Sequence, residues 1–214
     1  MTSNSTNFPN PSAMTLASND ETVALLVRIA EERDAYTAQH AKRVATYALA
    51  IARALGYETS AQHQLYHAGL LHDIGKIVTP ESILLKPTAL TPQEYARMQE
   101  HAAIGESILA SVRSLHPLLP AIRHHHERYD GLGYPDGLKG EEIPLDARIL
   151  AVADAFDAMT TNRIYCPKKT FNQAIEELTL LQYTQFDPLV ATIACDYFQT
   201  FPAKAGEGTE TLLF

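Results

Sequence analysis

Apolar residues recur along most of the chain at intervals of three and four positions. The pattern is clearest between residues 45 and 55, where alanine or leucine occupies positions 45, 48, 49, 52 and 55. Such spacing places the apolar side chains on one face of an α-helix. No stretch shows the convincing apolar–polar alternation of a half-buried strand. The chain is therefore predicted to be all-α, with about eight or nine helices and no internal repeat.

Three short signatures mark positions where helices should begin. Each pairs a Ser or Thr with a Glu or Gln three positions later, the spacing of a capping box: Ser18 with Glu21, Thr91 with Glu94, and Thr170 with Gln173. The folded domain is expected to span residues 18–202. Residues 1–17 are polar, small and punctuated by prolines, which predicts a disordered lead or linker, and residues 203–214 are expected to form a flexible tail.

Composition argues against several classes of protein. The 214 residues carry a formal net charge of -8, which disfavours the broad basic face that duplex nucleic acid requires. No apolar run reaches the roughly 18 residues of a membrane span, and no basic-then-apolar secretion signal is present. The two cysteines, Cys166 and Cys195, suggest no disulfide framework, so a cytoplasmic location is expected.

A histidine and an aspartate interrupt the apolar pattern in the segment YHAGLLHDIGKI. His72 and Asp73 end an apolar run, and Gly75 follows where a helix could close in a left-handed cap. A buried imidazole next to a buried carboxylate is costly unless both are paired or bind a metal. For this dipeptide alone, a hydrogen bond in the core and a metal site are both open interpretations.

Further imidazoles and one further carboxylate lie within the helical pattern. A single residue of this kind is more often a satisfied core or surface residue than a ligand. Together with His72 and Asp73, however, they form a set of five histidines and two aspartates that can face one interior; the other members are His40, His101, His125, His126 and Asp154. Imidazole and carboxylate without thiolate suit iron, manganese or zinc. Seven ligands are too many for one ion and fit two.

The remaining histidines are predicted to lie outside this set. His63 and His67 are one turn apart, but at about 100° per residue both point away from His72. We expect them to face solvent. His116 precedes a proline in a predicted loop, and His124 lies across the helix from at least one neighbouring imidazole, so neither is assigned as a ligand.

Three motifs, in this order, give the sequence a family resemblance. HDIGK, HHERYDGLGYPDG and RILAVADAFDAMTTNRIY resemble the HD-GYP domain, a branch of the HD superfamily of metal-dependent phosphohydrolases, and the similarity runs over about residues 31–190. The resemblance implies an HD-superfamily helical bundle with a metal centre in its core. It also implies hydrolysis of the bacterial second messenger cyclic di-GMP to pGpG, GMP or both.

The resemblance also assigns roles to the positions that match the family motifs. It implies two ions bridged by Asp73, with His40, His72, Asp73 and Asp154 holding one and Asp73, His101, His125 and His126 holding the other. A hydroxide bridging the ions would attack phosphorus, with Asp73 and Lys76 as the catalytic residues. Substrate contacts are implied for Lys76, Gly133, Tyr134, Pro135, Asp157 and Arg163.

Two positions depart from the family pattern. Some members have a glutamate that holds a third metal where this chain has Tyr36, and a phenol with a pKa of about 10 is a poor ligand at neutral pH. Two divalent ions are therefore expected, with iron favoured over manganese. Cys166 stands where members often have a lysine, and Lys168 or Lys169 is a candidate to replace it.

Other functions are open at this stage. One alternative is an HD phosphohydrolase for another nucleotide, such as a different cyclic dinucleotide or linear pGpG. A second is a catalytically weak module that binds diguanylate cyclases or other regulators through the loop carrying Tyr134, and the oxygen chemistry of related diiron HD proteins ranks last. A homodimer is left open. Duplex nucleic acid and a membrane are not expected as partners.

Overall fold

The computed structural model describes residues 11–33, 35–161 and 168–200. Within these ranges the chain forms ten α-helices: α1 (Pro11–Arg33), α2 (Ala35–Ala54), α3 (Thr59–Leu71), α4 (Glu81–Leu84), α5 (Pro92–Gln99), α6 (His101–Leu109), α7 (Leu119–His124), α8 (Leu145–Thr160), α9 (Phe171–Leu180) and α10 (Pro188–Gln199). Three 3₁₀ helices lie between them, at Ile74–Val78, Arg113–Leu118 and Gly140–Glu142.

The predicted all-α class is confirmed. The described ranges contain no strand and only one isolated bridge, between Gln182 and Phe186. The helices are more numerous than predicted because short ones such as α4, with four residues, leave too brief an apolar pattern to be recognised. None of the helices in these ranges is long and apolar enough to cross a membrane.

Two of the three predicted helix starts are confirmed. The Thr91 side chain accepts a hydrogen bond from the Glu94 backbone N–H, and the Glu94 carboxylate accepts one from the Thr91 backbone N–H at 2.7 Å. Thr170 and Gln173 make the same reciprocal pair at the start of α9. Each capping box satisfies two backbone N–H groups that the first helical turn leaves without partners.

The start predicted at Ser18 is wrong. Helix α1 begins at Pro11, about two turns before Ser18. Proline is favoured in a first helical turn, where a backbone N–H would have no intrahelical partner anyway. Residues 1–10 and the predicted tail at 203–214 lie outside the described ranges, so the domain boundaries stay predictions.

The core lies between α2 and α8, which pack against each other and against α10. Val44 and Ile51 of α2 and Phe156 of α8 are fully buried. The Phe156 ring stacks on that of Phe198 with centroids 3.7 Å apart, and the Tyr47 ring meets Phe156 edge-on at 5.2 Å. Burial of such large apolar side chains is the main favourable term in folding. It holds α2 and α8, two of the helices that carry predicted ligands, in fixed positions.

Glycines allow two close approaches that bring the remaining predicted ligands together. A Cβ at Gly69 would lie 2.6 Å from Cα of Ala45, so glycine lets α3 pack tightly against α2. A Cβ at Gly75 would overlap the backbone carbonyl oxygen of His101. The prediction that Gly75 forms a left-handed cap is wrong, since it lies inside the 3₁₀ helix Ile74–Val78 and its φ is not positive. Glycine at position 75 lets the start of α6 pack closely against this 3₁₀ helix.

Candidate metal centre

The seven predicted ligands converge on one place in the bundle, although they come from distant parts of the chain. They lie on α2, at the end of α3, just before the 3₁₀ helix Ile74–Val78, at the first residue of α6, at and after the end of α7, and on α8. Five of them are buried: His40, His72, Asp73, His101 and His125.

Asp73 lies at the centre of this cluster. Its Oδ1 atom is 3.3 Å from Nε2 of His101, and its Oδ2 atom is 3.5 Å from Nε2 of His72 and 3.8 Å from Nε2 of His40. Two groups of possible ligand atoms share Asp73, and within each the atoms lie within 4.8 Å of one another: Asp73 with His101, His125 and His126, and Asp73 with His40 and His72. Asp154 joins the second group through Oδ1, which is 3.2 Å from Nε2 of His40.

Three of the imidazoles are oriented by backbone carbonyl groups close to them in the chain. The Nδ1–H groups of His72, His101 and His125 each donate a 2.7 Å hydrogen bond to the carbonyl oxygen three residues earlier. This bond fixes the proton on Nδ1 and leaves Nε2 as an acceptor. All three Nε2 lone pairs therefore point into the cluster, as a metal ligand requires.

The cluster contains acceptors that lack donors. Nε2 of His72 and Oδ1 of Asp73 are buried without a hydrogen-bond partner. Nε2 of His101 lies 3.3 Å from Nε2 of His125, so two lone pairs face each other. Buried acceptors of this kind are costly unless a cation or a donor lies between them. The residues therefore fit a metal ion.

The charge states of the cluster also suit cation binding. Burial lowers the pKa of His72, lowers that of His125 strongly and lowers that of His126 to about 3, so these imidazoles are neutral ligands at neutral pH. Burial would raise the pKa of Asp73, but the Lys76 ammonium and the other groups around the carboxylate outweigh this effect and hold the pKa well below its usual value. The centre thus combines neutral nitrogen donors with ionised carboxylate.

His40 has a different environment from the other imidazoles. Burial lowers its pKa, but hydrogen bonds with Asp154 and Asp157 more than compensate and raise it to about 9. The Nδ1–H group donates to Oδ2 of Asp157 at 2.7 Å, on the side away from Asp73 and Asp154. Oδ1 of Asp157 accepts from Nε of Arg43 at 2.5 Å.

Asp157, for which a substrate contact was predicted, has its carboxylate engaged by the protein itself. Its side chain is 1 % exposed and lies behind His40, where Arg43 and His40 take up both carboxylate oxygens. Asp157 orients His40 instead. Arg43 was not singled out from the sequence, although it lies three residues after His40, just as Asp157 lies three residues after Asp154. The two spacings place each pair on one helix face and could have predicted this contact.

The loop from Gly131 to Gly137 packs directly on the cluster. The Tyr134 ring stacks on that of His126 with centroids 4.8 Å apart. A Cβ at Gly133 would overlap the backbone of residues 126–128, so this position requires glycine. Buried Glu127, which was not assigned a role from the sequence, accepts hydrogen bonds from the backbone N–H groups of Asp136 at 2.7 Å and Gly137 at 3.0 Å. It ties the loop to the ligand-bearing segment.

Three of the histidines that were set aside, His67, His116 and His124, have protein partners of their own. His124 hydrogen-bonds Asp136 through Nε2 at 2.9 Å and Pro120 through Nδ1, so it anchors the same loop from outside. His63 and His116 are exposed, as predicted, although His116 lies in the 3₁₀ helix Arg113–Leu118 rather than in a loop. The prediction that His67 faces solvent is wrong, because its side chain is only 12 % exposed and its Nε2 atom lies 3.0 Å from Asp20 of α1.

Lys76 borders the cluster. Its ammonium group donates a 2.6 Å hydrogen bond to Oδ2 of Asp73, and its side chain is 27 % exposed, so it can reach both the cluster and solvent. Lys168 is exposed, and the Lys169 ammonium pairs with Glu177. Arg163, Cys166 and the side chain of Tyr36 lie outside the described residues.

A cavity of about 300 Å³ opens beside the cluster, between α8, α9 and the segment that follows α9. His125, His126 and Asp154 line one part of it. The protein is thus an all-α bundle in which imidazoles and carboxylates from several helices meet beside a cavity. This arrangement is that of helical proteins with a buried centre suited to binding metal.

The chain belongs to the HD domain family. A family model described as HD domain matches residues 24–190. This match covers both groups of possible ligands and confirms the predicted resemblance at the level of the superfamily.

Curated proteins that are similar to this chain are named as phosphodiesterases of cyclic dinucleotides. The chain is 41% identical over 174 residues to a protein of Thermotoga maritima named cyclic di-GMP phosphodiesterase, covering 79% of this chain and 47% of that protein. It is 38% identical over 185 residues to the 3'3'-cGAMP-specific phosphodiesterase 2 of Vibrio cholerae, covering 86% of this chain and 35% of the relative. The chain thus spans about half or less of the length of these curated relatives.

A solved structure shares the fold. The HDG"Y"P protein Bd1817 from Bdellovibrio bacteriovorus superposes with a TM-score of 0.63 at 22% identity, covering 76% of this chain and 52% of that one. The similarity confirms the HD-superfamily helical fold predicted from the sequence.

Proposed function

We propose that this domain is a metal-dependent phosphodiesterase that hydrolyses cyclic di-GMP. The convergence of five imidazole nitrogens around the carboxylate of Asp73 carries the proposal, because this set of donors is suited to binding divalent cations and little else. Relatives named as phosphodiesterases of cyclic di-GMP support the substrate.

The residues fit two ions that share Asp73. One would be held by His40, His72, Asp73 and Asp154, and the other by Asp73, His101, His125 and His126, with iron or manganese suited to such nitrogen and oxygen donors. Two adjacent divalent ions supply an activated water and offset the negative charge that develops on a phosphodiester.

The chain's own groups complete this chemistry. Lys76 holds its ammonium beside Asp73, where it can offset negative charge on a leaving ribose oxygen or give it a proton. The Tyr134 ring covers His126 and keeps water away from that side of the cluster. Because the histidines with lowered pKa are uncharged, bound cations would leave the site net positive, which attracts a dianionic substrate despite the acidic surface.

A second candidate substrate is 3'3'-cGAMP. Three of the relatives are named 3'3'-cGAMP-specific phosphodiesterases, at 38% identity each. That molecule has the same phosphodiester ring and differs from cyclic di-GMP in one base, so the metal centre itself would treat the two alike. The distinction has to come from residues that contact the bases.

A substrate panel tests the proposed function. The full chain loaded with Mn²⁺ or Fe²⁺ is incubated with cyclic di-GMP, 3'3'-cGAMP, cyclic di-AMP and linear pGpG, and products are separated by chromatography. We expect fastest turnover of cyclic di-GMP and its loss after chelation of the metal. Failure of the fully loaded protein to hydrolyse any of the four compounds would contradict the proposal.

Asp157→Asn is expected to weaken binding of the ion at His40. An asparagine amide can present N–H to Nδ1 of His40, which would shift the imidazole proton to Nε2, the atom that should bind metal. Loss of such an orienting carboxylate typically reduces metal affinity by about 10- to 100-fold. A calorimetric titration with Mn²⁺ should show one site with reduced affinity and one site with unchanged affinity.

Asp146→Asn is the matched control for this experiment. Asp146 also lies on α8 and also accepts a hydrogen bond, from the Tyr57 hydroxyl at 2.8 Å, but it does not contact the cluster. The control should bind both ions as the unmodified protein does. Unchanged binding of both ions by Asp157→Asn would show that Asp157 does not orient a ligand.

A further inference from the structure

We infer that the cavity beside the metal centre is a guanine pocket and that Glu177 reads the guanine base; this inference rests on the proposed function. The cavity holds the ligand histidines His125 and His126 on one wall and Glu177 of α9 on another. A nucleotide whose phosphate lies at the centre would therefore extend its base toward α9.

The size of the cavity suits one base. Its volume of about 300 Å³ is at the small end of ligand pockets, which range from about 300 to 1,000 Å³. Ala151, Ala155 and Ala158 of α8 line it, and their short side chains leave the space open next to Asp154. A base can enter there, while the rest of a cyclic dinucleotide stays outside.

Apolar side chains form the walls that a flat ring would contact. Met159, Leu181 and Phe186 line the cavity between α8 and the segment after α9. Bases stack on such groups with little preference for their identity. The apolar walls therefore favour any base, and discrimination has to come from the polar groups.

Glu177 and Lys169 offer the polar pattern that complements guanine. The Lys169 ammonium donates a hydrogen bond to Oε2 of Glu177, and both side chains remain about one-third exposed, at 36% and 37%. Guanine presents N1–H and N2–H₂ as donors and O6 as an acceptor on one edge. A carboxylate accepts from the two donors, and an ammonium beside it donates to O6.

Adenine does not match this pair. Its edge has an N6–H₂ donor and an N1 acceptor, so N1 would face the carboxylate without a hydrogen atom between them. A site built for hydrogen bonds rejects a molecule that leaves its polar groups unpaired. Of the other polar residues that line the cavity, Arg128 is engaged by Gln185 at 3.2 Å and by Asp130, which lies outside the cavity, at 2.6 Å.

The test compares Glu177→Gln with Glu176→Gln in the full, Mn²⁺-loaded chain. Glu176 is the neighbouring residue of α9, is exposed and does not line the cavity among the described residues, so it is a matched control. The value of kcat/KM is measured for cyclic di-GMP and cyclic di-AMP. Metal content and the binding of GMP and AMP are measured alongside.

Glu177→Gln is expected to lower kcat/KM for cyclic di-GMP by about 10- to 100-fold, the effect of losing a charged hydrogen bond. Turnover of cyclic di-AMP, metal content and all properties of Glu176→Gln should stay unchanged. The inference would be overturned if kcat/KM were the same for cyclic di-GMP and cyclic di-AMP both before and after the substitution. It would also be overturned if Glu177→Gln lowered kcat/KM equally for the two compounds.

The proposed function and the pocket fail in different ways. If the unmodified protein hydrolyses no cyclic dinucleotide, the proposed function is wrong. The binding of GMP and AMP then tests whether the cavity is a guanine pocket. Preference for GMP that disappears in Glu177→Gln would support it. Equal binding of GMP and AMP by the unmodified protein would refute it.

Discussion

Replacing Asp73 by alanine is expected to abolish both metal binding and hydrolysis. Asp73 offers one carboxylate to both groups of possible ligands, so its loss removes a ligand from each ion at once. The loss of affinity should exceed the roughly 10- to 100-fold effect of removing a residue that only orients a ligand. Elemental analysis after metal loading, together with a cyclic di-GMP hydrolysis assay, measures both effects.

Two companion variants make this result specific. Asp196→Ala removes an exposed carboxylate of α10 and should change neither metal content nor rate. Lys76→Ala should keep the metal and lose rate, because Lys76 contacts Asp73 but is not a ligand. Full metal content and activity in Asp73→Ala would show that the cluster is not the metal centre.

Gly75→Ala is expected to destabilise the fold and weaken metal binding together. The new methyl group would overlap the carbonyl oxygen of His101, so α6 and the 3₁₀ helix Ile74–Val78 must separate. Overpacking of this kind typically costs about 1–3 kcal/mol of the free energy of unfolding. The same separation moves His101 away from Asp73. Urea unfolding and Mn²⁺ titration measure the two effects.

Gly56→Asn serves as the comparison for Gly75→Ala. A Cβ at Gly56 would meet nothing within 4 Å, and asparagine tolerates the left-handed φ of 79° at this position. This variant should unfold close to the midpoint of the unmodified protein and bind metal normally. If Gly75→Ala matched it in both measurements, the close approach of α6 would not determine the position of His101.

The sequence predicted the helical class and the possible ligands because these depend on local patterns. An imidazole or a carboxylate within an apolar helix is visible without knowledge of the fold, as His72 and Asp73 show. The family motifs, which occur in a fixed order along the chain, then indicated which of these residues belong to one site. The structure places all seven in one cluster.

Contacts between distant helices were harder to predict. The family resemblance implied that Asp157 contacts substrate, but the direction of a side chain depends on what packs against its helix, here His40 and Arg43 of α2. His67 was expected in solvent because the helix wheel of α3 alone does not show that Asp20 of α1 lies against it. Glu127 was missed because its partners are backbone N–H groups of a loop.

The hydrogen bonds from Nδ1 of His72, His101 and His125 to carbonyl oxygens of their own chain segments have a consequence for assembly. Each ring is oriented by a hydrogen bond to a backbone carbonyl three residues earlier, so its orientation does not depend on a bound cation. The centre is preorganised by the packing of the bundle. Unlike a zinc finger, whose folding is driven by its metal, this domain would fold first and acquire its ions afterwards. Ion uptake then loses little conformational entropy.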